Sequence, residues 1–165
     1  MTRETLLTII IAIALLVLGL LAWSWWRRTR RDAAYPAPVA ELPDGAKTTA
    51  TFTTLYVATT RHGEPLERLA IRGLGFRARA DVTVTDKGVA VDLAGQPRMV
   101  FGLDRLVDAA QATVAIDRVV ERDGLTRLTW RADGATIVDS YFRPQDASAR
   151  ELAEAIRPLL PTGNV

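Results

Sequence analysis

The sequence predicts an α+β, mainly β domain: about seven antiparallel strands bent into a barrel-like sheet, capped by one C-terminal helix and preceded by one membrane-spanning helix. Three observations predict it. Residues 5–26 carry no charge and are almost wholly apolar; period-two alternation of apolar and polar residues dominates the middle of the chain; and helical spacing returns only after Pro144. At 165 residues the chain has room for one ordinary domain and an appendage.

The apolar stretch comes first. At ~1.5 Å per residue, residues 5–26 make a helix of about 33 Å, enough to cross a hydrocarbon core of about 30 Å. Trp23, Trp25 and Trp26 fall at its end, where indoles prefer the membrane interface, and Arg27, Arg28, Arg30 and Arg31 follow in the headgroup zone. A cleaved signal peptide would have a shorter apolar core, more charge before it and small residues at its end. A buried core helix would need more apolar surface around it than the rest of the chain supplies. The arginines outweigh Arg3 on the other flank, so the charge bias predicts a cell-membrane location with the N-terminus out and the domain in the cytoplasm. As a stop-transfer anchor this cluster needs no partner, and a spanning helix gains little attachment from it.

Charge outside that cluster is balanced. The net charge is +2, and from residue 47 onward 16 basic side chains face 15 acidic ones, so the high pI reports the juxtamembrane arginines. A nucleic-acid-binding domain would need a basic face of its own, so no nucleic-acid partner is expected. The absence of cysteine removes disulfides, thiolate metal sites and cysteine nucleophiles together, and fits a reducing compartment.

Residues 27–46 read as a basic flank followed by a linker, with prolines at 36, 38 and 43 favouring an extended, semi-stiff connection. The domain is expected from 47 to 165. Its first strand is the β-branched and aromatic run 52–57. Residues 78–85 alternate cleanly, Asp86-Lys87-Gly88 supplies turn chemistry, and Val89, Val91 and Leu93 begin the return strand of a hairpin. Residues 99–101 and a stretch near 107–116 are shorter strands. Asp123-Gly124 precedes a strand at 125–130, and Asp133-Gly134 turns into another at 135–142. Ser148 and Glu151 then have capping-box spacing, and Leu152, Ile156 and Leu159 follow at helical intervals, so one amphipathic helix over about 147–157 closes the core.

Four stretches carry a resemblance: Tyr56-Val57-Ala58-Thr59-Thr60-Arg61, Leu66-Glu67-Arg68, Gly73-Leu74-Gly75-Phe76-Arg77 and Val82-Thr83-Val84-Thr85-Asp86-Lys87-Gly88, with Leu128-Thr129-Trp130 later. Together with the preceding helix they resemble a family of actinobacterial membrane-anchored proteins with a bacterial pleckstrin-homology-like (PH-like) domain. Members carry labels such as transporter or export or membrane protein, and many are encoded beside pyrimidine-biosynthesis genes. The resemblance implies a PH-like fold and brings no catalytic motif.

No catalytic set, cofactor or metal is expected from the residues themselves. His62 is the only histidine and reads as a loop residue, since a triad would need Ser and Asp brought to it by folding. Gly73-Leu74-Gly75 lacks the length and third glycine of a phosphate loop and reads as a bend. Asp104, Asp108, Asp117, Asp123 and Asp133 are scattered, and the two Asp-Gly pairs serve turns. Trp130 shares a strand face with Leu128 and reads as core.

One constellation invites binding chemistry: Arg61, Arg68, Arg72, Arg77 and Arg79 lie around the loop after the first strand. Arginines at i and i+2 on a strand share a face and can clamp phosphate, so anionic lipid is a candidate ligand of Arg61, Arg72, Arg77 and Arg79. Glu64 and Glu67 dilute that charge, and outward arginines also simply solubilise a strand. The leading expectation is a non-enzymatic, membrane-tethered adaptor that presents its domain to a cytoplasmic protein partner. The alternatives are an anionic-lipid-sensing module and an accessory subunit of a transport system; one helix without an intramembrane charge makes no substrate path alone.

Overall fold

The computed structural model describes residues 3–32, 35, 37–115, 118–119 and 124–161. Of the residues named above, Pro36, Asp117, Asp123 and residue 116 lie outside these, as do the side chains of Arg28 and Arg31. The chain divides into two units, Met1–Ala34 and Tyr35–Val165.

The first unit is helix α1 (Arg3–Asp32), 30 residues or about 45 Å long. Within it an 18-residue window of mean hydropathy 2.9 lies wholly unburied, so this is one helix long and apolar enough to cross a membrane. The Thr8 hydroxyl donates to the Glu4 carbonyl at 2.9 Å, which satisfies this polar side chain within the apolar run. Helix continues past the expected span of 5–26 through the basic flank, because arginine is a good helix former and no proline interrupts it. That geometry stacks cations on indoles one turn away. The Arg27 guanidinium lies 5.7 Å from the Trp23 ring centre and that of Arg30 4.1 Å from Trp26.

The second unit is an antiparallel sheet of eight strands: β1 (Thr48–Arg61), β2 (Glu64–Arg68), β3 (Ala78–Thr85), β4 (Gly88–Leu93), β5 (Met99–Gly102), β6 (Leu106–Ala112), β9 (Leu125–Arg131) and β10 (Ile137–Pro144). A short pair, β7 (Val114–Ala115) with β8 (Arg118–Val119), follows β6. The order is β5-β4-β3-β1-β10-β9-β6, with β2 on β1 beyond the end of β3. β1 is therefore central. Its register against β10 slips between Tyr56 and Ala58, a bulge that bends the strand and lets it serve both halves of the sheet.

That bend brings the two halves face to face around one core. Phe101 of β5 packs edge-on against Trp130 of β9, ring centres 5.0 Å apart, and Tyr56 meets Phe142 at 5.8 Å. Valines 82, 84, 89 and 91, the inward residues of the expected 78–93 hairpin, line the core. Its turn depends on Gly88, whose φ is +147° and whose added Cβ would stand 2.5 Å from the Phe101 carbonyl oxygen. The turn expected at Asp133-Gly134 runs on to Thr136, two residues into the expected strand: Asp133 Oδ1 accepts from the Ala135 and Thr136 amides at 2.9 and 2.6 Å. These bonds hold its carboxyl below the usual range.

Helix α2 (Ala149–Ile156) carries the expected capping box. The Glu151 amide donates to Ser148 Oγ at 3.2 Å and the Ser148 amide to Glu151 Oε2 at 2.7 Å. Leu152 and Ile156 are buried in the barrel core, and a 3₁₀ turn at Arg157–Leu159 with Pro158 ends the helix.

The two sheet edges differ. Along β5, the Val100 amide donates to the Pro38 carbonyl at 2.8 Å and the Ala40 amide to the Arg98 carbonyl at 3.4 Å, while Tyr35 and Ala37 pack on the core. Residues expected as spacer thus form the rim of the domain, since a proline-bearing segment that lacks donors can pair only at an edge. At the other end the strand order stops at β6.

Candidate functional site

The residues of interest surround the connection from β2 to β3. Leu69, Ile71 and Leu74 in it are buried, the Leu69 amide donates to the Thr59 carbonyl at 2.9 Å, and the Leu74 amide closes a turn on Ile71. Gly73 takes φ +81° at that turn, which accounts for the first glycine of the Gly-Leu-Gly bend.

A chain of buried hydroxyls fixes this loop to the core. The Tyr56 hydroxyl lies 2.8 Å from the Leu74 carbonyl and 2.9 Å from Thr59 Oγ1; Thr59 Oγ1 lies 2.7 Å from Ser140 Oγ; and Trp130 Nε1 donates to Ser140 Oγ at 2.9 Å. Each hydroxyl has one proton, and the two ends have one possible sense each: an indole N–H only donates and a carbonyl only accepts. The direction is therefore set: Trp130 to Ser140 to Thr59 to Tyr56 to the Leu74 carbonyl. Burial pushes the Tyr56 phenol far above its ordinary range, which keeps the last donor protonated.

Of the five arginines around this loop, the structure occupies two. Arg61 lies 3.3 Å from Glu67 and 4.0 Å from Glu64, and Arg68 is half-buried with Nη2 donating to the Val57 carbonyl at 3.4 Å. Arg72, Arg77 and Arg79 are exposed and make no ion pair among the described residues. Ala78 and Ala80 pack toward the core, so Arg77 and Arg79 both point outward, as the i, i+2 spacing requires. Register adds a fourth: Leu55 of β1 pairs with Arg79 on one side and Arg143 of β10 on the other, one cross-strand row on the outer face. Asp81, exposed two residues beyond Arg79, limits the basic area on that side. The residue that sequence reasoning missed is Phe76. It is 86% exposed, between the Gly73 turn and Arg77, and its signal was an aromatic placed among arginines outside any alternating strand.

His62, expected in a loop, is indeed at the β1–β2 turn but has a partner. Its Nδ1 lies 3.0 Å from Oδ1 of Asp139, whose side chain is 2% exposed, while the His62 side chain is 48% exposed. The Thr129 hydroxyl donates to the same carboxylate at 2.7 Å. The pair ties the β1–β2 turn to β10 through a buried carboxyl group, and no hydroxyl meets the other ring nitrogen among the described residues. The described residues contain no group of three or more histidine or acidic side chains able to hold a metal ion. A shallow cavity of about 280 Å³ lies between the β5–β6 and β9–β10 turns, where Arg105 and Arg131 balance Asp104 and Asp133.

This bent sheet with its capping helix has a counterpart among known families. A family model described as bacterial PH domain-like matches residues 34–157. The chain belongs to that family. Its PH-like domain is also similar to the solution structure of the C-terminal phosphotyrosine interaction domain of APBB2 from mouse, at 14% identity over 76% of this chain and 96% of that one, with a TM-score of 0.48. None of the curated proteins compared with the chain matches it.

Proposed function

We propose that this chain is a membrane-anchored, non-enzymatic adaptor, in which α1 spans the cell membrane with its N-terminus out and the PH-like domain engages a protein partner in the cytoplasm. PH-like domains commonly bind proteins or lipids, and the family match supports an interaction module. The observation that carries the protein-partner reading is the inequality of the two sheet edges. The β5 edge is covered by residues 38–40 and guarded by proline, whereas β6 ends the sheet with no strand beyond it among the described residues. An open edge offers a row of backbone donors and acceptors to an extended segment, which adds to the sheet as a further strand. Natural folds blunt such edges unless they are used.

The test is affinity purification of the intact protein in mild detergent beside an Ala110→Lys variant. Ala110 lies on β6, half-buried, and a lysine there obstructs strand addition while leaving the pairing with β9 in place. The expected result is a partner that co-purifies with the wild type and is lost from the variant at unchanged thermal stability. A partner retained by the variant moves the interface off this edge, and recovery of none by either protein defeats the adaptor reading.

A further inference from the structure

We propose that the cavity between the β5–β6 and β9–β10 turns binds a small zwitterion of the α-amino-acid class, its carboxylate on Arg105 and Arg131 and its ammonium toward Asp104 and Asp133. The volume of about 280 Å³ lies just under the roughly 300–1,000 Å³ of pockets for drug-sized molecules, so it suits a compact ligand. A left-over donor points to one. Arg105 is half-buried, and its Nη1 is buried with no hydrogen-bond acceptor among the described residues. Arg68 and Arg127 also have a buried nitrogen in that condition, but each is held through its Nη2, by the Val57 carbonyl and by Asp108. The Arg105 guanidinium has no such hold among the described residues, and it alone of the three lines the cavity. Folded proteins rarely leave a buried donor unmet, because it has given up water without gaining a partner.

The backbone presets the two cations. Leu106 faces Trp130 in the β6–β9 register, so Arg105 and Arg131 stand one step beyond that pair, and the Arg131 amide donates to the Arg105 carbonyl at 2.9 Å. Planar forks fixed at facing positions match the two oxygens of a carboxylate. Charge narrows the ligand further. Four charged side chains line one cavity, yet no ion pair joins them among the described residues. Each acid is held by its own turn. Asp133 Oδ1 accepts from the Ala135 and Thr136 amides and Oδ2 from the Thr136 hydroxyl at 3.2 Å. Asp104 Oδ1 lies over the Gly102 backbone, 2.6 Å from where a Cβ there would stand. A doubly charged anion such as phosphate would meet two carboxylates, and a simple amine two guanidiniums; like-charge contacts select against both. A zwitterion answers both signs at once. The inference is independent of the spanning reading and of strand addition at β6.

The intact protein in detergent micelles, isotopically labelled on arginine, is titrated with L-alanine, propionate, ethylammonium and inorganic phosphate while NMR follows the side-chain Nε–H signals of Arg105 and Arg131. Alanine carries both charged ends and little else, so a site that reads those ends must bind it. A saturable shift of both signals is expected at millimolar alanine. Propionate, which lacks one charge-assisted contact, should bind about tenfold more weakly, and ethylammonium and phosphate should give no shift. Asp104→Asn, at an exposed side chain, should bring alanine down to the level of propionate, and Arg105→Gln should remove the response of Arg131 to both. An added Cβ at Gly134 meets no atom within 4 Å, so Gly134→Leu fits there, obstructs the cavity and abolishes the shifts. Absence of a saturable shift with alanine overturns the proposal. So does propionate or phosphate binding as tightly as alanine, which would make this a general anion site, or alanine binding that survives Gly134→Leu.

Discussion

Cutting the buried hydroxyl chain at either end tests whether it fixes the 69–77 loop. Tyr56→Phe keeps the ring and its edge contact with Phe142 but strands two buried groups: the Leu74 carbonyl loses its donor and the Thr59 hydroxyl its acceptor. A buried polar group left unsatisfied costs about 1–3 kcal/mol, and the freed hydroxyl can rotate to recover part of it, so a loss of about 2 kcal/mol is expected. Ser140→Ala strands the Trp130 indole N–H, which has no rotational freedom, and should cost about 2–3 kcal/mol. Because both substitutions interrupt one directed chain, the double variant should be less destabilised than the sum by at least 0.5 kcal/mol or so. Urea unfolding of the intact protein in detergent, followed by near-UV circular dichroism, gives these energies. Hydrogen exchange at the Leu69 and Leu74 amides gives the loop separately, and Tyr56→Phe should speed it more than Ser140→Ala. Strict additivity, or a Tyr56→Phe variant within about 0.5 kcal/mol of wild type with unchanged loop exchange, refutes the reasoning.

Two further outcomes follow from the same packing. His62→Ala leaves the Asp139 carboxylate buried with the Thr129 hydroxyl as its remaining side-chain donor, and should cost about 1–3 kcal/mol; adding Asp139→Asn, which removes the stranded charge, should restore part of it in the same unfolding measurement. Gly88→Ala drives a methyl into the Phe101 carbonyl at a backbone conformation alanine avoids, so the β3–β4 turn must shift, with a loss of about 1–3 kcal/mol and a lower thermal midpoint; a neutral outcome would mean that β5 gives way freely.

What the sequence displayed depended on how many faces of a strand meet water. β3 has one wet face, so its alternation was plain and its start at Ala78 was read to the residue. β1 is central and its second half is covered on both faces, which erases the period and hides the extension from 52–57 to Thr48–Arg61. β2 escaped notice because Pro65 between Glu64 and Glu67 looks like loop, a pattern that an edge strand tolerates. The capping box was legible because it is local, its two residues three positions apart. His62–Asp139 was not, because 77 residues separate the partners and only the β1–β10 register joins them. The arginine cluster was visible as composition, but which guanidiniums remain free was decided by where Glu64, Glu67 and the Val57 carbonyl fell.

The seam between residues 38–40 and β5 also determines where tension enters the domain. Force arriving along the backbone from the N-terminal side meets the packing of Tyr35 and Ala37, the Val100–Pro38 and Ala40–Arg98 hydrogen bonds, the Glu41–Arg98 ion pair and the Lys87 bond to the Asp44 carbonyl before it reaches β1, which is bonded on both flanks. Contacts strung along an edge yield one after another and at low load, whereas a central strand must shear many bonds at once. The seam therefore acts as a mechanical fuse, letting the leash lengthen by several residues before the barrel feels any pull.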